Sequence, residues 1–274
     1  MFAVVNRLHQ RHGASAPGRL RRLFVGCAVV AGLTLAAQSD LQAADCPPPR
    51  EPNLPKSGEP ASNIAMHKEQ LKAYHNVIPP GATVSAYAED IKLVIGDALR
   101  YVTDRPATAE KLAVVLDIDE TSLSNWKNLE LNDFGFIKDG SCPLQANRAC
   151  GFDAWIELEQ ATKIGPTLEF YNAIRASNIA VFFITGRRNS QKSATIRNLK
   201  REGFKNWSGL MTRADKDHGT VAKFKSDRRA EVENGRGYKI IANIGDQDSD
   251  LKDGEAPVHA ECTFKLPNPF YFIK

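Results

Sequence analysis

The chain has 274 residues, with 36 Lys and Arg against 32 Asp and Glu and a formal net charge of +4 at pH 7. Residues 1–44 hold five of the arginines and one aspartate, so residues 45–274 carry 31 basic and 31 acidic side chains. This balance gives no electrostatic reason to expect binding of a nucleic-acid polymer. Residues 45–274 are enough to bury a core, either as one domain with an insertion or as two small domains.

Residues 1–44 have the layout of a secretory signal. Their five arginines precede an apolar run over residues 23–37, and the small residues Ala43 and Ala44 follow. A run of this length is too short for an ordinary membrane span. Arg21 and Arg22 resemble a twin-arginine export signal, and a general secretory signal that contains two arginines is the alternative. We expect residues 1–44 to be cleaved and the rest of the chain to be periplasmic or secreted, without a membrane span.

The cysteines outside this segment indicate disulfide bonds. Cys27 belongs to the signal, which leaves Cys46, Cys142, Cys150 and Cys262. In an exported protein, four cysteines suggest two disulfides among three connectivities. We expect Cys142–Cys150, which closes a short loop, and Cys46–Cys262, which ties the amino-terminal tail to the last predicted strand. A zinc site is the alternative, but no Cys-x-x-Cys pair or nearby histidine supports it.

Two helices are predicted at the start of the folded part. Residues 46–60 are rich in proline and charge, as an extended lead-in would be. A helix is predicted over residues 62–76, with Ser62 or Asn63 as its N-cap. Apolar residues recur at helical spacing over residues 82–102, which predicts further helix packed on the core.

A buried strand that ends in carboxylates comes next. The apolar run over residues 114–116 predicts a buried strand, and Asp117 and Asp119 follow it. Side chains two residues apart face the same side of a strand, and open α/β sheets bind ligands past the carboxyl ends of their strands. Two carboxylates there repel each other unless a cation or a proton relieves them. This pattern favours a metal-assisted site, and a strand followed by an acidic turn is the alternative.

Residues 126–165 interrupt the alternation of strands and helices. They contain Trp126, Phe134 and Trp155 together with two of the cysteines. An insertion placed directly after such a strand is expected to cover the cleft as a helical cap. Its aromatic side chains are candidate contacts for a nucleobase, and packing in the core is the alternative.

Strands and helices alternate after this insertion. The alternation predicts an α/β fold with a Rossmann-like parallel sheet and right-handed crossovers. The predicted helices cover residues 166–176, 190–201 and 221–232, and the predicted strands cover residues 180–184, 210–212, 238–244 and 262–266.

Three of the predicted strands end in polar groups that would meet in one crevice. These groups are the Asp117 and Asp119 pair, Thr185, and the Asp246 and Asp250 pair. Several carboxylates without a histidine cluster favour a hard cation such as Mg²⁺. A hydroxyl with nearby backbone amides suits a phosphoryl oxygen, and Lys225 would add a point charge. The alternatives are a helix cap for Thr185, a solvated surface position for Lys225 and a turn for the second aspartate pair.

Four motifs resemble those of the haloacid-dehalogenase-like (HAD-like) phosphatases. The closest resemblance is to the acid phosphatases with four motif aspartates, which include plant-type and bacterial class C enzymes. The order and spacing of the four motifs agree with those of this family over roughly residues 60–270. One departure is Trp126 to Asn128, where relatives tend to carry a tyrosine. The motifs occupy residues 117–125, residues 183–187, residues 224–226 with Arg228 or Arg229 after them, and residues 245–251.

The resemblance implies a role for each motif residue. Asp117 is the nucleophile that forms an aspartyl-phosphate, and Asp119 is the general acid and then the general base. Thr185, Gly186 and Lys225 bind the phosphoryl oxygens, and Arg187 either contacts phosphate or braces the loop. Trp126 and Phe134 are the candidate substrate contacts in the cap. Mg²⁺ is held by the Asp117 carboxylate, the Asp119 backbone carbonyl, Asp246 and Asp250.

The sequence therefore predicts an exported, Mg²⁺-dependent acid phosphatase that acts on phosphate monoesters. Residues 1–44 are the signal, and residues 45–274 are one HAD-like domain with a cap insertion over roughly residues 126–165. A 5′-nucleotidase or phosphotransferase activity at the same site is one alternative, because an alcohol can replace water. A non-catalytic storage or binding protein on the same fold is the other, and loss of the nucleophile would indicate it.

Overall fold

The computed structural model describes residues 46–47, 50, 63–106, 108–146, 148–252 and 259–273. The predicted signal over residues 1–44 and most of the predicted lead-in lie outside the described residues. Within the described part of the chain, no helix is both long and apolar enough to cross a membrane.

A five-stranded parallel sheet forms the centre of the fold, which confirms the predicted α/β class. The strands are β1 (Leu112–Leu116), β4 (Ala180–Arg188), β5 (Gly209–Arg213), β6 (Lys239–Gly245) and β7 (Cys262–Lys265). They stand in the order β5-β4-β1-β6-β7. Every neighbouring pair is parallel.

Strand β1 is buried on both faces, as its continuous apolar run predicts. Val114 and Leu116 belong to the larger hydrophobic cluster, whereas Ala113 and Val115 belong to the smaller cluster on the other face. The central position of β1 between β4 and β6 follows from this two-sided burial. Its carboxyl end therefore opens in the middle of the sheet edge.

Helices connect the strands and cover the sheet. They are α1 (Ile64–Asn76), α2 (Ala86–Thr103), α5 (Gly165–Ala176), α6 (Lys192–Arg201), α7 (Val221–Ala230) and α8 (Asp248–Leu251). Helix α1 begins after Asn63, and the hydroxyl of its Tyr74 donates to Asp90 of α2 at 2.6 Å. Helix α2 begins after Ser85, whose hydroxyl accepts the Ala88 N–H as its N-cap, and it packs against α5.

The predicted cap insertion contains two short helices and part of a two-stranded ribbon. The helices are α3 (Trp126–Leu131) and α4 (Phe152–Leu158), and a 3₁₀ turn covers Leu144–Ala146. The antiparallel ribbon joins β2 (Leu123–Ser124) to β3 (Thr162–Lys163), so it closes the base of the insertion. The sequence did not predict this ribbon, because two-residue strands carry no periodic signal.

Both predicted disulfides are present. Cys142–Cys150 closes the loop between α3 and α4, and Cys46–Cys262 fixes the amino-terminal tail to β7.

Two predicted boundaries differ from the structure by four residues. Strand β4 continues through Thr185 to Arg188 instead of ending at Ile184, and helix α2 begins at Ala86 instead of at residue 82. The register between β4 and β5 is irregular between Ile184 and Arg188, and this irregularity lets the strand continue past the glycine. Helix α7 ends at Ala230 and passes into a π turn over Glu231–Gly235.

Candidate active site

The parallel register brings the predicted site residues to one edge of the sheet. Leu116 pairs with Phe183 of β4 and with Ile244 of β6. The residues just beyond these positions are Asp117, Thr185 and Asp246. The Asp117 N–H still donates to the Ile244 carbonyl at 3.0 Å, so the backbone of the first aspartate is fixed by the sheet itself.

Lys225 joins this edge from the second turn of α7. Its ammonium donates to Asp117 Oδ1 at 2.5 Å and also contacts Asp250 Oδ1. Only 4% of the Lys225 surface is exposed, which rules out the alternative of a solvated surface lysine. Although burial opposes its charge, Asp117 and Asp250 raise the pKa of Lys225 above its ordinary value. The lysine is therefore a fixed positive charge beside the first aspartate.

Three buried carboxylates form a cluster that fits a divalent cation. One oxygen from each of Asp117, Asp246 and Asp250 lies within 4.8 Å of the others. Burial and the neighbouring Asp250 raise the pKa of Asp117 well above its ordinary value, and the same two causes raise the pKa of Asp246 to about 8. Lys225 alone does not offset this accumulation of negative charge. Hard divalent cations bind to carboxylate oxygens, and they favour sites where the negative charge of the ligands exceeds the nearby positive charge.

The carboxylate of Asp246 is held by three side chains. Its Oδ2 accepts hydrogen bonds from the Gln247 amide at 2.8 Å and the Asn268 amide at 2.7 Å. Its Oδ1 accepts one from the Thr121 hydroxyl at 3.0 Å. The alternative that Asp246 and Asp250 only form a turn after a strand therefore does not hold. Side chains on both sides orient Asp246, and Asp250 contacts Lys225.

Asp119 lies outside the carboxylate cluster and is paired with Arg187. The guanidinium donates through Nη2 to Asp119 Oδ1 at 2.6 Å and through Nε to both carboxylate oxygens at 3.1 Å. Its Nη1 donates to the Thr195 hydroxyl at 3.2 Å. Burial alone would raise the pKa of Asp119, but Arg187, together with Asn125 and Lys225, lowers that pKa below its ordinary value. Arg187 thus contacts the predicted acid–base residue directly.

A chain of hydrogen bonds supports Asp119 from the cap. The Asn125 amide donates to Asp119 Oδ1 at 2.9 Å, and its carbonyl oxygen accepts from Trp155 Nε1 at 2.8 Å. Glu120 accepts the Asn125 backbone N–H at 2.5 Å. Burial and the charge of Asp119 raise the pKa of Glu120 to about 7. Trp155 is therefore a core residue that orients Asn125, and no sequence pattern indicated the contact of Asn125 with Asp119.

Thr185 and Gly186 lie inside β4, at the edge that carries Asp117. The Thr185 side chain is fully buried, and its hydroxyl accepts the Arg187 N–H at 3.2 Å. The hydroxyl thus turns back on its own strand, so Thr185 does not cap the following helix. Gly186 has space for a Cβ, with Val221 of α7 as its nearest neighbour at 3.6 Å.

Trp126 and Phe134 pack with other aromatic rings. The Trp126 indole stacks on His75 with ring centroids 3.7 Å apart and an interplanar angle of 3°. Phe134 contacts Trp126 edge-on, and Phe270 packs against both rings. The Trp126 ring also lines a cavity of about 320 Å³ together with Tyr87 and other side chains. Their proposed contact with substrate stays a prediction.

Comparison with known proteins places this arrangement among acid phosphatases. The family model described as HAD superfamily, subfamily IIIB (acid phosphatase) matches residues 57–274. Acid phosphatase 1 of Solanum lycopersicum is 37% identical over 161 residues, which are 58% of this chain and 58% of that protein. The match therefore spans less than two thirds of the tomato relative.

Other relatives are storage or stem proteins by name. The stem 28 kDa glycoprotein of Glycine max is 31% identical over 190 residues, covering 69% of this chain and 70% of that protein. Vegetative storage protein 1 of Arabidopsis thaliana is 28% identical over 193 residues, covering 70% of this chain and 67% of that protein. The class C acid phosphatase from Bacillus anthracis has a similar fold, with a TM-score of 0.57, 19% identity, and 76% of this chain and 86% of that chain covered.

Proposed function

The chain belongs to the acid phosphatases of HAD subfamily IIIB, and on that premise we propose that it is an exported, Mg²⁺-dependent enzyme that hydrolyses phosphate monoesters. The observation that carries the proposal is the contact of Lys225 with Asp117 at the centre of the sheet edge, beside the carboxylates of Asp246 and Asp250. A nucleophile, a fixed positive charge and a cation site thereby share one buried cleft.

Mg²⁺ is the cation that we propose for the cluster. Asp117, Asp246 and Asp250 would hold it with their carboxylates, and Asp119 with its backbone carbonyl. The Asp119 carboxylate contacts Arg187 and lies outside the carboxylate cluster. This supports a role in proton transfer for the side chain, while only the backbone carbonyl of Asp119 binds the ion. When bound, Mg²⁺ offsets the repulsion between an anionic nucleophile and an anionic phosphate ester.

The first chemical step is attack by Asp117 on phosphorus. One carboxylate oxygen of Asp117 forms a bond to phosphorus while the ester bond to the leaving oxygen breaks. Asp119 donates a proton to that leaving oxygen, so the alcohol departs neutral. Thr185, the backbone at Gly186 and Lys225 bind the three remaining phosphoryl oxygens, over which the negative charge spreads.

The second step returns the enzyme to its starting state. Asp119, now ionised, accepts a proton from a water molecule, and the oxygen of that water forms a bond to phosphorus. The bond between phosphorus and Asp117 breaks, which releases inorganic phosphate and restores both carboxyl groups. The contacts of Asp119 with Arg187 and Asn125 support this assignment, since they hold the carboxylate in one orientation for both proton transfers.

Export is proposed from the layout of residues 1–44 and supported by the two disulfides. Disulfides persist in oxidising compartments and are rare in the cytosol. The arrangement favours catalysis over storage, because the nucleophile and its contacts are all present. An alcohol acceptor in place of water would make the same site a phosphotransferase, and capture of phosphate by an added alcohol would reveal it.

Replacement of the nucleophile tests the proposal. Asp117→Asn should abolish phosphate release from p-nitrophenyl phosphate while its circular-dichroism spectrum and thermal transition remain those of a folded protein. The exposed cap residue Asp139 is the matched control, and Asp139→Asn should retain full activity. A folded Asp117→Asn variant with most of its activity would refute the assignment.

A further inference from the structure

The segment after the last strand, residues 267–273, lies against the site and is here called the C-terminal segment. Leu266 precedes it, is fully buried and donates its N–H to the Gly245 carbonyl at 2.8 Å, so the segment starts beside the end of β6. Phe270 anchors its middle among the rings of Trp126 and Phe134. The segment is therefore fixed at both points and passes close to Asp246.

Asn268 connects this segment to the cation site. Its amide donates to Asp246 Oδ2 at 2.7 Å, and its carbonyl oxygen accepts the Phe270 N–H at 2.9 Å. The second bond fixes which end of the Asn268 side chain faces Asp246. Asp246 Oδ2 is thereby held by the C-terminal segment, while Oδ1 accepts the Thr121 hydroxyl, so the whole carboxylate is fixed in one orientation beside Asp117 and Asp250.

Gln247 strengthens this connection. Its amide donates to the same Asp246 oxygen, while its carbonyl oxygen accepts the Ile273 N–H at 3.0 Å. The C-terminal segment therefore holds Asp246 directly through Asn268 and indirectly through Gln247.

Tyr271 reaches the acid–base residue by a separate route. Its hydroxyl donates to Glu120 Oε2 at 2.9 Å. Glu120 accepts both the side-chain amide and the backbone N–H of Asn125, and the same amide donates to Asp119. The orientation of Asp119 is thus linked to the far end of the chain through three consecutive contacts.

We propose that the C-terminal segment is a positioning element with two separable effects. Asn268 orients Asp246 for the cation, and Tyr271 orients Asp119 for proton transfer. The inference rests on the proposed function, because it assumes a divalent cation at the carboxylate cluster. Groups that orient metal ligands typically contribute about 10- to 100-fold to metal affinity or activity.

The test measures Mg²⁺ binding and catalysis in three variants of the full-length protein. Isothermal titration calorimetry of metal-free samples with MgCl₂ gives the dissociation constant, and steady-state kinetics at saturating Mg²⁺ give kcat and KM. Asn268→Ala should raise the Mg²⁺ dissociation constant by about 10- to 100-fold. Tyr271→Phe should leave that constant unchanged and lower kcat by about tenfold, with KM unchanged. Phe272→Ala is the matched control, because Phe272 belongs to the same segment but is 72% exposed.

Separate results distinguish failure of the inference from failure of the proposed function. A wild-type protein that binds no Mg²⁺ would overturn the proposed cation and the inference with it. A wild-type protein that binds Mg²⁺, together with a folded Asn268→Ala variant that binds it equally well, would overturn the inference alone. Should Asn268→Ala fail to fold, Tyr271→Phe decides, and an unchanged kcat in that variant would contradict the role of the segment.

Discussion

The Lys225 ammonium lies 2.5 Å from Asp117 Oδ1, and this contact joins helix α7 to the end of the central strand. Both side chains are almost fully buried, so neither charge is screened by bulk water. The same ammonium contacts Asp250, which places one positive charge against two carboxylates. The lysine therefore pairs with both carboxylates in the resting site, and in the proposed mechanism it would also bind the negative charge of an incoming phosphate.

Replacement of this lysine should reduce both activity and stability. In the proposed mechanism Lys225→Met removes a donor to the phosphoryl oxygens, and loss of one such donor typically lowers kcat by about 10²- to 10³-fold. It also removes the ammonium group that pairs with Asp117 and Asp250, and breaking a buried ion pair costs about 3 kcal/mol or more of unfolding free energy. Steady-state kinetics and urea unfolding measure the two effects.

Lys223 provides the control for this prediction. It lies on the same helix but forms an exposed pair with Asp227, and exposed pairs contribute little to stability. Lys223→Met should leave kcat unchanged. Equal kinetics for the two variants would contradict a role of Lys225 at phosphate.

The pairing of Arg187 with Asp119 predicts an acidic pH dependence. Asp119 must be protonated to act as the general acid, and Arg187 lowers its pKa, so the protonated form is populated at lower pH. Arg187→Met should raise that pKa and move the alkaline limb of the kcat profile to higher pH. The kcat profile from about pH 2.5 to about pH 9 measures the shift, because this range begins below the ordinary pKa of a carboxyl group.

Arg188 supplies the comparison, because its guanidinium donates to the carbonyl groups of Ala214 and Asp217 instead. Arg188→Met should keep the wild-type profile. An Arg187→Met variant with a higher KM and an unshifted limb would show that Arg187 acts on substrate and not on Asp119.

Removal of the metal should abolish activity reversibly. The cluster of Asp117, Asp246 and Asp250 offers only oxygen ligands, so EDTA should inactivate the enzyme and added Mg²⁺ should restore it. Asp250→Asn should raise the Mg²⁺ concentration needed for half-maximal activity. Asp248→Asn should not, because the Asp248 carboxylate pairs with Lys252 and Lys265. Full activity in a sample shown to be free of metal would remove the ion from the mechanism.

The two disulfides should contribute unequally to stability. Cys46–Cys262 spans 216 positions and Cys142–Cys150 spans 8. In the chain-entropy description, loops of these lengths correspond to roughly 5 and 2.5 kcal/mol, respectively. Replacing both cysteines of one pair by serine, followed by urea unfolding, gives each contribution. A larger loss on removal of the shorter loop would show that local contacts, such as the hydrogen bonds of Asn132 to Cys150, dominate over chain entropy.

The sequence predicted the parts of the fold that depend on local pattern. Apolar runs predicted the strands. Asp117, Thr185 and Asp246 follow these runs, and they were predicted to lie together because the carboxyl ends of parallel strands share one edge of the sheet. The same reasoning ended β4 at Ile184, because the apolar run stops there and Thr185 follows. The register irregularity that carries this strand on to Arg188 arises from pairing with β5 and has no local signal.

Hydrogen bonds between distant side chains could not be predicted in this way. Arg187 and Asp119 are 68 positions apart, and Tyr271 and Glu120 are 151 positions apart. Nothing in the residues near Asn268 indicates that its amide meets Asp246. Such contacts depend on how the helices, strands and loops pack in three dimensions, and local sequence patterns carry no information about that packing.

Trapping of the phosphorylated nucleophile is the most direct test of the central claim. In Asp119→Asn the water-activating base is absent, whereas p-nitrophenolate can leave with little help from an acid. The variant should release p-nitrophenol in a burst stoichiometric with enzyme and then turn over slowly. Borohydride reduction during turnover should convert residue 117 alone to homoserine, as peptide mass spectrometry would detect. Steady product release without a burst, and with residue 117 unmodified, would contradict the mechanism.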